Sequence, residues 1–117
     1  MKFILSAHNV KVTQALEDHI VSRIHKIEHF DSKAVEVRVT LEYDHTKASE
    51  RSFHCSMRLG LPGPDLFAEE STDSLDTAID LVAKKIEQQI RKRHTKLKER
   101  RRSKASASKR KRQEAAI

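Results

Sequence analysis

Three lysines toward the C-terminal end of the chain have the spacing of residues that could bind phosphate groups. Lys85, Lys92 and Lys96 are seven and four residues apart. In a helix they would share one face and lie about 10.5 and 6 Å apart along the axis, distances comparable to those between phosphates along a strand. An ordinary solvated face would have the same spacing, but the scarcity of acidic residues after Glu87 favours contact with RNA.

Arg23 and Lys26 form a second basic pair with a weaker signal. They are i, i+3 neighbours in a predicted helix and therefore lie on the same side of it. Glu28 and Asp31 are near enough in sequence to offset their charge. The spacing alone therefore favours a solvated surface over a binding site.

Catalytic and metal chemistry have little support in this sequence. His25 and His29 are i, i+4 and could supply two metal ligands, but no third ligand is predicted near them. Cys55 falls on the apolar side of a strand and is expected to be a small core residue. Gly60 and Gly63 are the only glycines, which leaves no Gly-rich phosphate loop. The sequence predicts no enzyme, cofactor, metal site or small-molecule substrate.

The charge of the chain is distributed unevenly. Residues 1–90 contain 11 Lys+Arg and 15 Asp+Glu, a net charge of −4. Residues 91–117 contain 13 Lys+Arg and only 2 Asp+Glu, a net charge of +11. Such a basic block indicates a polyanionic partner, nucleic acid above all, although a tail that only aids solubility would also explain it.

The hydrophobic pattern predicts four strands. Apolar and polar residues alternate over 2–8, 35–43 and 52–59, and a shorter strand begins at 66–68, as in a sheet with one covered face and one wet face. Residues 44–51 form a long hairpin loop. The Pro62-Gly63-Pro64 segment predicts a turn before the last strand.

Two amphipathic helices complete the predicted domain. Apolar residues recur at helical spacing over 13–29, with Thr13 as N-cap, and from Asp73 or Ser74 to about residue 97. The order β-α-β-β-β-α predicts an α+β fold with both helices on one face of a four-stranded sheet. The predicted core comprises Ile24, Val37, Val39, Leu41, Phe53, Cys55, Met57, Ile79, Val82 and Ile86.

Length and composition predict one domain and a tail. At 117 residues there is room for a single core, assigned to residues 1–97. Residues 98–117 are basic and rich in Ser and Ala, so we expect a tail that is disordered without a partner. The chain has neither a membrane-length apolar run nor a signal peptide, and we expect it in the cytoplasm, without a membrane partner.

Element order and two motifs resemble the ribosome hibernation promoting factor family, also called the YfiA or sigma-54 modulation family. The first motif follows the first strand and reads HNVKVTQAL over residues 8–16. The second is similar to the family's "AID…KL…RQL.K" helix and comprises Ala78, Ile79, Asp80, Lys84, Lys85, Ile86, Gln89, Ile90, Arg91 and Lys92. The likeness covers about residues 1–97, and the chain has the length of the short members. It departs at Gln88, where the family usually has Arg, and at Asp76, where Tyr is common.

The resemblance implies a fold similar to double-stranded RNA-binding domains and a role in silencing ribosomes. It implies binding to 16S rRNA in the decoding region of the small (30S) subunit, within 70S or 100S ribosomes, where mRNA and tRNA sites are blocked in stationary phase or stress. The protein alone would be monomeric. The RNA-binding positions that it implies are Arg23, Lys26, Lys84, Lys85, Gln89, Arg91, Lys92 and Lys96.

Two alternatives remain open at the sequence level. One is a protein-binding regulator, for example of the sigma-54 factor that one family name mentions. The other is a general nucleic-acid binder driven only by the basic tail. A sheet that stacks bases is disfavoured, because the predicted wet face carries Glu36, Thr40 and Glu42 in place of exposed aromatic residues.

Overall fold

The structure is a computed structural model that describes the backbone of residues 1–115 and the side chains of residues 1–98. Its elements follow the order β-α-β-β-β-α, with one short 3-10 helix at Ser49–Arg51 between the second and third strands. The strands and helices are β1 (Lys2–His8), α1 (Gln14–Phe30), β2 (Glu36–Tyr43), β3 (Phe53–Gly60), β4 (Leu66–Thr72) and α2 (Leu75–Ala115).

The four strands form one mixed sheet in the order β1-β2-β3-β4. β1 pairs with β2 in parallel, because α1 carries the chain back before β2 begins. The other two pairs are antiparallel hairpins. Gly63 has a φ of +94°, a conformation that favours glycine, and it makes the turn that Pro62 and Pro64 predict. β4 has seven residues, one fewer than β2 and β3 and as many as β1.

A single apolar core lies between the sheet and the two helices. The register places inward residues opposite each other, as in the pair Val39 and Met57, and α1 and α2 cover them with their apolar faces. One predicted core residue is only half-buried. Phe53 stacks on Tyr43 with ring centroids 4.9 Å apart. Val35, the first residue of the predicted strand 35–43, precedes β2 and is 63% exposed. The remaining predicted core residues are buried: Ile24, Val37, Val39, Leu41, Cys55, Met57, Ile79, Val82 and Ile86.

The two helices run side by side in the same direction. His19 near the start of α1 contacts Asp80 near the start of α2, and Lys26 farther along contacts Glu87. The hydroxyl of Thr13 accepts from the backbone N–H of Leu16, which confirms the predicted N-cap of α1.

The opposite face of the sheet carries no helix, and we call it the open face. Its outward residues include the expected Glu36, Thr40 and Glu42. They also include Phe67 on β4, which is 46% exposed. The prediction that this face lacks exposed aromatic residues is therefore wrong at Phe67.

The segment predicted as a tail begins within α2. α2 is continuous through the boundary predicted between residues 97 and 98, and the side chains beyond 98 lie outside the described residues. The assignment of 98–117 to a disordered tail stays a prediction. Within the part of the chain that the structure describes, no helix combines the length and apolar composition that a membrane crossing requires.

Candidate nucleic-acid interface

The predicted RNA-binding residues lie on two different sides of α2. One set faces α1 and lines a groove of about 380 Å³ between the two helices, which we call the interhelix groove. The other set lies on the flank of α2 beside β4, which we call the β4-side row. The groove set is Arg23, Lys26, Lys84 and Arg91, and the row set is Lys85, Gln89, Lys92 and Lys96.

The angular positions of the residues around α2 explain why the eight predicted RNA-binding residues form two sets. Lys92 and Lys96 follow Lys85 by seven and eleven residues, close to two and three whole turns of a helix with 3.6 residues per turn. These three lysines therefore share one flank, as their spacing predicts. Lys84 and Arg91 are rotated around the helix toward α1, where the two basic residues of that helix meet them.

Both basic residues of α1 in the groove already have acidic partners on α2. The guanidinium of Arg23 donates from Nε to Asp80 Oδ1 at 2.9 Å, and Arg23 Nη2 also lies 2.9 Å from this oxygen. His19 Nε2 lies 2.8 Å from that oxygen as well. Lys26 Nζ lies 3.9 Å from Glu87 Oε1. Sequence neighbours suggested Glu28 and Asp31 as the compensating acids, but the actual partners come from the other helix.

Lys84 and Arg91 are the cations of the groove that remain available. Both side chains are exposed, and neither forms an ion pair with any residue that the structure describes. The guanidinium carbon of Arg91 lies 5.0 Å from the ring centroid of Phe30, a cation–π contact that orients the charge without neutralising it. These two residues can therefore bind phosphate without first breaking an ion pair.

In the β4-side row, the first two residues bind the sheet edge. Lys85 Nζ lies 3.2 Å from Glu70 Oε1. The side-chain amide of Gln89 donates to the Phe67 carbonyl oxygen at 2.9 Å, and Arg93, one turn farther, donates to the carbonyl oxygen of Pro64. Lys85 and Gln89 contact a carboxylate and a carbonyl oxygen of β4, an edge strand whose polar backbone groups would otherwise be open, and Arg93 contacts the turn that precedes this strand.

Lys92 and Lys96 extend past this contact and are exposed, with no ion-pair partner among residues 1–98. Residues 88–98 contain five Lys+Arg and no Asp or Glu. The helical surface therefore becomes more positive from the start of α2 toward its later turns. Four of the predicted RNA-binding residues are therefore exposed cations without an ion-pair partner among residues 1–98, and we call them the exposed cation set: Lys84, Arg91, Lys92 and Lys96.

Other chemically active side chains do not converge on a site. Cys55 is buried, and burial raises the pKa of its thiol to about 12, so it is a poor nucleophile. His25 lies 3.7 Å from Glu28. In the described part of the chain, no three His, Cys, Asp or Glu side chains are grouped as a metal site would need.

Comparison with known proteins places these features in a family. The family model described as "Sigma 54 modulation protein / S30EA ribosomal protein" matches residues 3–98. The chain belongs to this family. The match runs from the second residue of β1 through α1 and the other three strands to residue 98 of α2.

Several curated relatives in the family carry the name of a ribosome hibernation factor. The protein from Bacillus subtilis named "Ribosome hibernation promotion factor" is 33% identical over 101 residues, covering 83% of this chain and 50% of the relative. The Deinococcus radiodurans protein of the same name is 28% identical over 88 residues, 75% of this chain and 46% of its own length. The chain thus spans about half the length of these two relatives.

Shorter relatives and solved structures match more completely. The "Ribosome hibernation promoting factor" of Pseudomonas putida is 28% identical over 93 residues, covering 79% of this chain and 85% of its own. A ribosomal subunit interface protein from Coxiella burnetii has a TM-score of 0.70 at 18% identity, covering 81% of this chain and 99% of that one. The Thermus thermophilus Protein Y N-terminal domain has a TM-score of 0.66 at 20% identity, covering 79% and 98%. These structures share the fold.

Proposed function

We propose that this chain is a cytoplasmic ribosome hibernation factor without catalytic activity. In this proposal it binds 16S rRNA in the decoding region of the small (30S) subunit, blocks the mRNA and tRNA sites and silences translation in stationary phase or stress. The observation that carries the proposal is the exposed cation set, Lys84, Arg91, Lys92 and Lys96, on a chain of this family.

Electrostatics supports RNA as the partner of this surface. A cation that binds phosphate releases condensed counterions from the RNA, and this release drives association. A cation that is already paired with a carboxylate contributes less, because the carboxylate must give way or stay as a repulsive neighbour. Arg23 and Lys26 are paired, so in this proposal they shape the groove while the exposed cation set contacts phosphates.

The positions of Lys85 and Gln89 lead to a revised assignment for them. Both were expected to contact RNA. In the structure, the Gln89 amide donates to a backbone carbonyl oxygen of β4, and the Lys85 ammonium contacts Glu70 of the same strand. We propose that they hold the edge of the sheet against α2, which keeps the helix straight along the domain and presents Lys92 and Lys96 to the RNA. Direct RNA contact by Lys85 would require it to leave Glu70.

Sedimentation tests this function directly. The purified chain is mixed with small subunits, large subunits and 70S ribosomes and centrifuged through sucrose. We expect it to migrate with small subunits and 70S particles, to inhibit cell-free translation, and to be displaced by mRNA and initiator tRNA.

A matched comparison separates this function from its alternatives. A chain that ignores ribosomal particles but retains the sigma-54 factor in a pull-down would overturn the proposal in favour of a sigma-factor regulator. Equal binding to small subunits, large subunits and random RNA would point to the basic tail alone.

A further inference from the structure

The open face carries one straight row of residues that the proposed function does not use. The strand register places Ile4 beside Arg38, Arg38 opposite Arg58, and Arg58 opposite Phe67. We call these four residues the arginine row. It crosses the whole sheet from β1 to β4, a width of about 14 Å at roughly 4.8 Å per strand.

Two like charges face each other in the middle of this row. Arginines directly opposite each other on an antiparallel pair repel and lower the stability of the sheet. Glu36 relieves one of them, since its Oε1 lies 3.4 Å from Arg38 Nε. Arg58 has no ion-pair partner among the residues described, and its guanidinium carbon lies 5.8 Å from the Phe67 ring centroid. An anion placed between the two guanidinium groups would remove the repulsion.

An exposed aromatic ring lies beside these cations. Phe67 is 46% exposed, and it borders a depression of about 430 Å³ on the open face. The two guanidinium groups line this depression together with two hydroxyl groups, two carboxylates and one glycine. Its lining is Glu36, Arg38, Thr40, Ser56, Arg58, Gly60, Asp65 and Phe67.

We propose that the open face binds an unpaired nucleotide of single-stranded RNA. The phosphate lies between Arg38 and Arg58, and the base stacks on Phe67 or on the guanidinium plane of Arg58, as unstacked bases do on aromatic and arginine side chains. The hydroxyls and the carboxylates of Glu36 and Asp65 accept hydrogen bonds from the base edge. A paired base is excluded, because its faces are already stacked within a duplex.

The mixed charge of the depression favours a nucleotide over an acidic peptide. Glu36 and Asp65 need hydrogen-bond donors and Phe67 needs a flat partner, and a carboxylate-rich segment would satisfy only Arg38 and Arg58. A nucleotide instead offers one phosphate, a flat base and donor groups on its edge. The inference goes beyond the proposed function, which concerns the helical side, and gives the domain RNA contacts on two opposite faces.

The test uses the full chain and two fluorescein-labelled probes in an anisotropy titration. One probe is an eight-nucleotide single-stranded RNA, and the other has the same backbone with abasic sugars. Phe67→Ala should weaken binding of the first probe about five-fold or more, the lower end of a lost base stack, and leave the abasic probe unchanged. Arg58→Gln should weaken binding of both probes.

Matched variants separate stacking from general charge and from folding. Lys2→Gln removes one charge from the same face outside the row and should weaken both probes less than Arg58→Gln. Lys84→Gln should weaken both probes equally, because it acts on the helical side. Phe67→Leu keeps an apolar side chain and should reproduce the loss seen with Phe67→Ala while melting at the wild-type temperature.

Three results would overturn the proposal. The first is that Phe67→Ala and Phe67→Leu each weaken binding of the abasic probe as much as binding of the base-containing probe. The second is no effect of either variant on either probe. The third is displacement of the RNA by a polyglutamate peptide from the wild type but not from Arg58→Gln, which would identify a protein-binding surface. The chain could also fail to sediment with ribosomes while the Phe67 variants still weaken binding of the base-containing probe alone. That result would contradict only the function proposed for the helical side.

Discussion

At the scale of single residues, Asp80 determines how much positive charge the interhelix groove presents. One of its carboxylate oxygens accepts from Arg23 and contacts His19, so it ties α1 to α2 and neutralises the arginine. Its side chain is 42% exposed, and solvent screening keeps the contribution of such a pair small.

Replacing the Asp80 carboxylate separates its effect on stability from its effect on the charge of the groove. Asp80→Asn should lower the free energy of unfolding by only about 0.2–1 kcal/mol, the range of partly exposed ion pairs. The same change should tighten binding of a random RNA at low salt, because Arg23 is released. Urea unfolding and a filter-binding titration measure the two quantities, and weaker RNA binding would show that Asp80 is needed to orient Arg23.

Cys55 offers a probe of the core. Burial raises the pKa of its thiol from 9.0 to about 12, so at pH 8 the folded protein has very little thiolate. We expect a thiol reagent such as DTNB to label the native chain far more slowly than the chain in urea. Labelling of the native chain at the rate of the unfolded one would contradict the burial of this residue.

Not every residue partner could be predicted from the sequence. The apolar environment of Cys55 follows from local alternation, because side chains two apart share a face of a strand. The partners of Arg23 and Lys26 could not be found in this way, because Asp80 and Glu87 are more than fifty residues away. They become neighbours only through the parallel packing of α1 on α2.

At the scale of elements, the inward face of β2 is the part of the fold most sensitive to charge. Val39 is 1% exposed and lies under the helices. Val39→Asp would bury a carboxylate without a partner, which costs several kcal/mol, and the variant should be unfolded at room temperature by circular dichroism. The neighbouring Thr40→Asp places the same charge on the open face and should remain folded. Equal melting temperatures for both variants would show that the assignment of faces is wrong.

Strands and helices could be predicted from periodicity. The face of the sheet on which Phe67 lies and the contact of α2 with β4 could not. The alternation within β4 does not reveal which side Phe67 occupies until β4 pairs with β3 in a defined register. The contact of Lys85 and Gln89 with that strand depends on where α2 lies over the sheet. A family motif marks such residues without separating a role in RNA binding from a role in holding the fold.

At the scale of the whole molecule, the described domain has a complete core without the segment after residue 98. Every buried apolar residue lies between Ile20 and Ile90 among the residues whose side chains are described. Deleting residues 99–117 should therefore leave the melting temperature of the domain nearly unchanged. It should weaken RNA binding by removing positive charge, yet preserve the preference for small subunits over random RNA in a competition assay. Loss of that preference would assign recognition to the deleted segment.

If the exposed cation set contacts rRNA phosphates, small-subunit binding should depend steeply on salt concentration. Each phosphate contact contributes roughly 0.7–0.9 to the slope of log affinity against log salt. Changing Lys84, Lys92 and Lys96 together to Gln should flatten that slope by about two to three and relieve inhibition of cell-free translation. The control changes Lys2, Lys11 and Lys47 to Gln, an equal loss of charge on exposed positions elsewhere, and should flatten the slope much less. An unchanged slope and unchanged inhibition in the first variant, or equal flattening in both, would show that the exposed cation set does not contact rRNA phosphates.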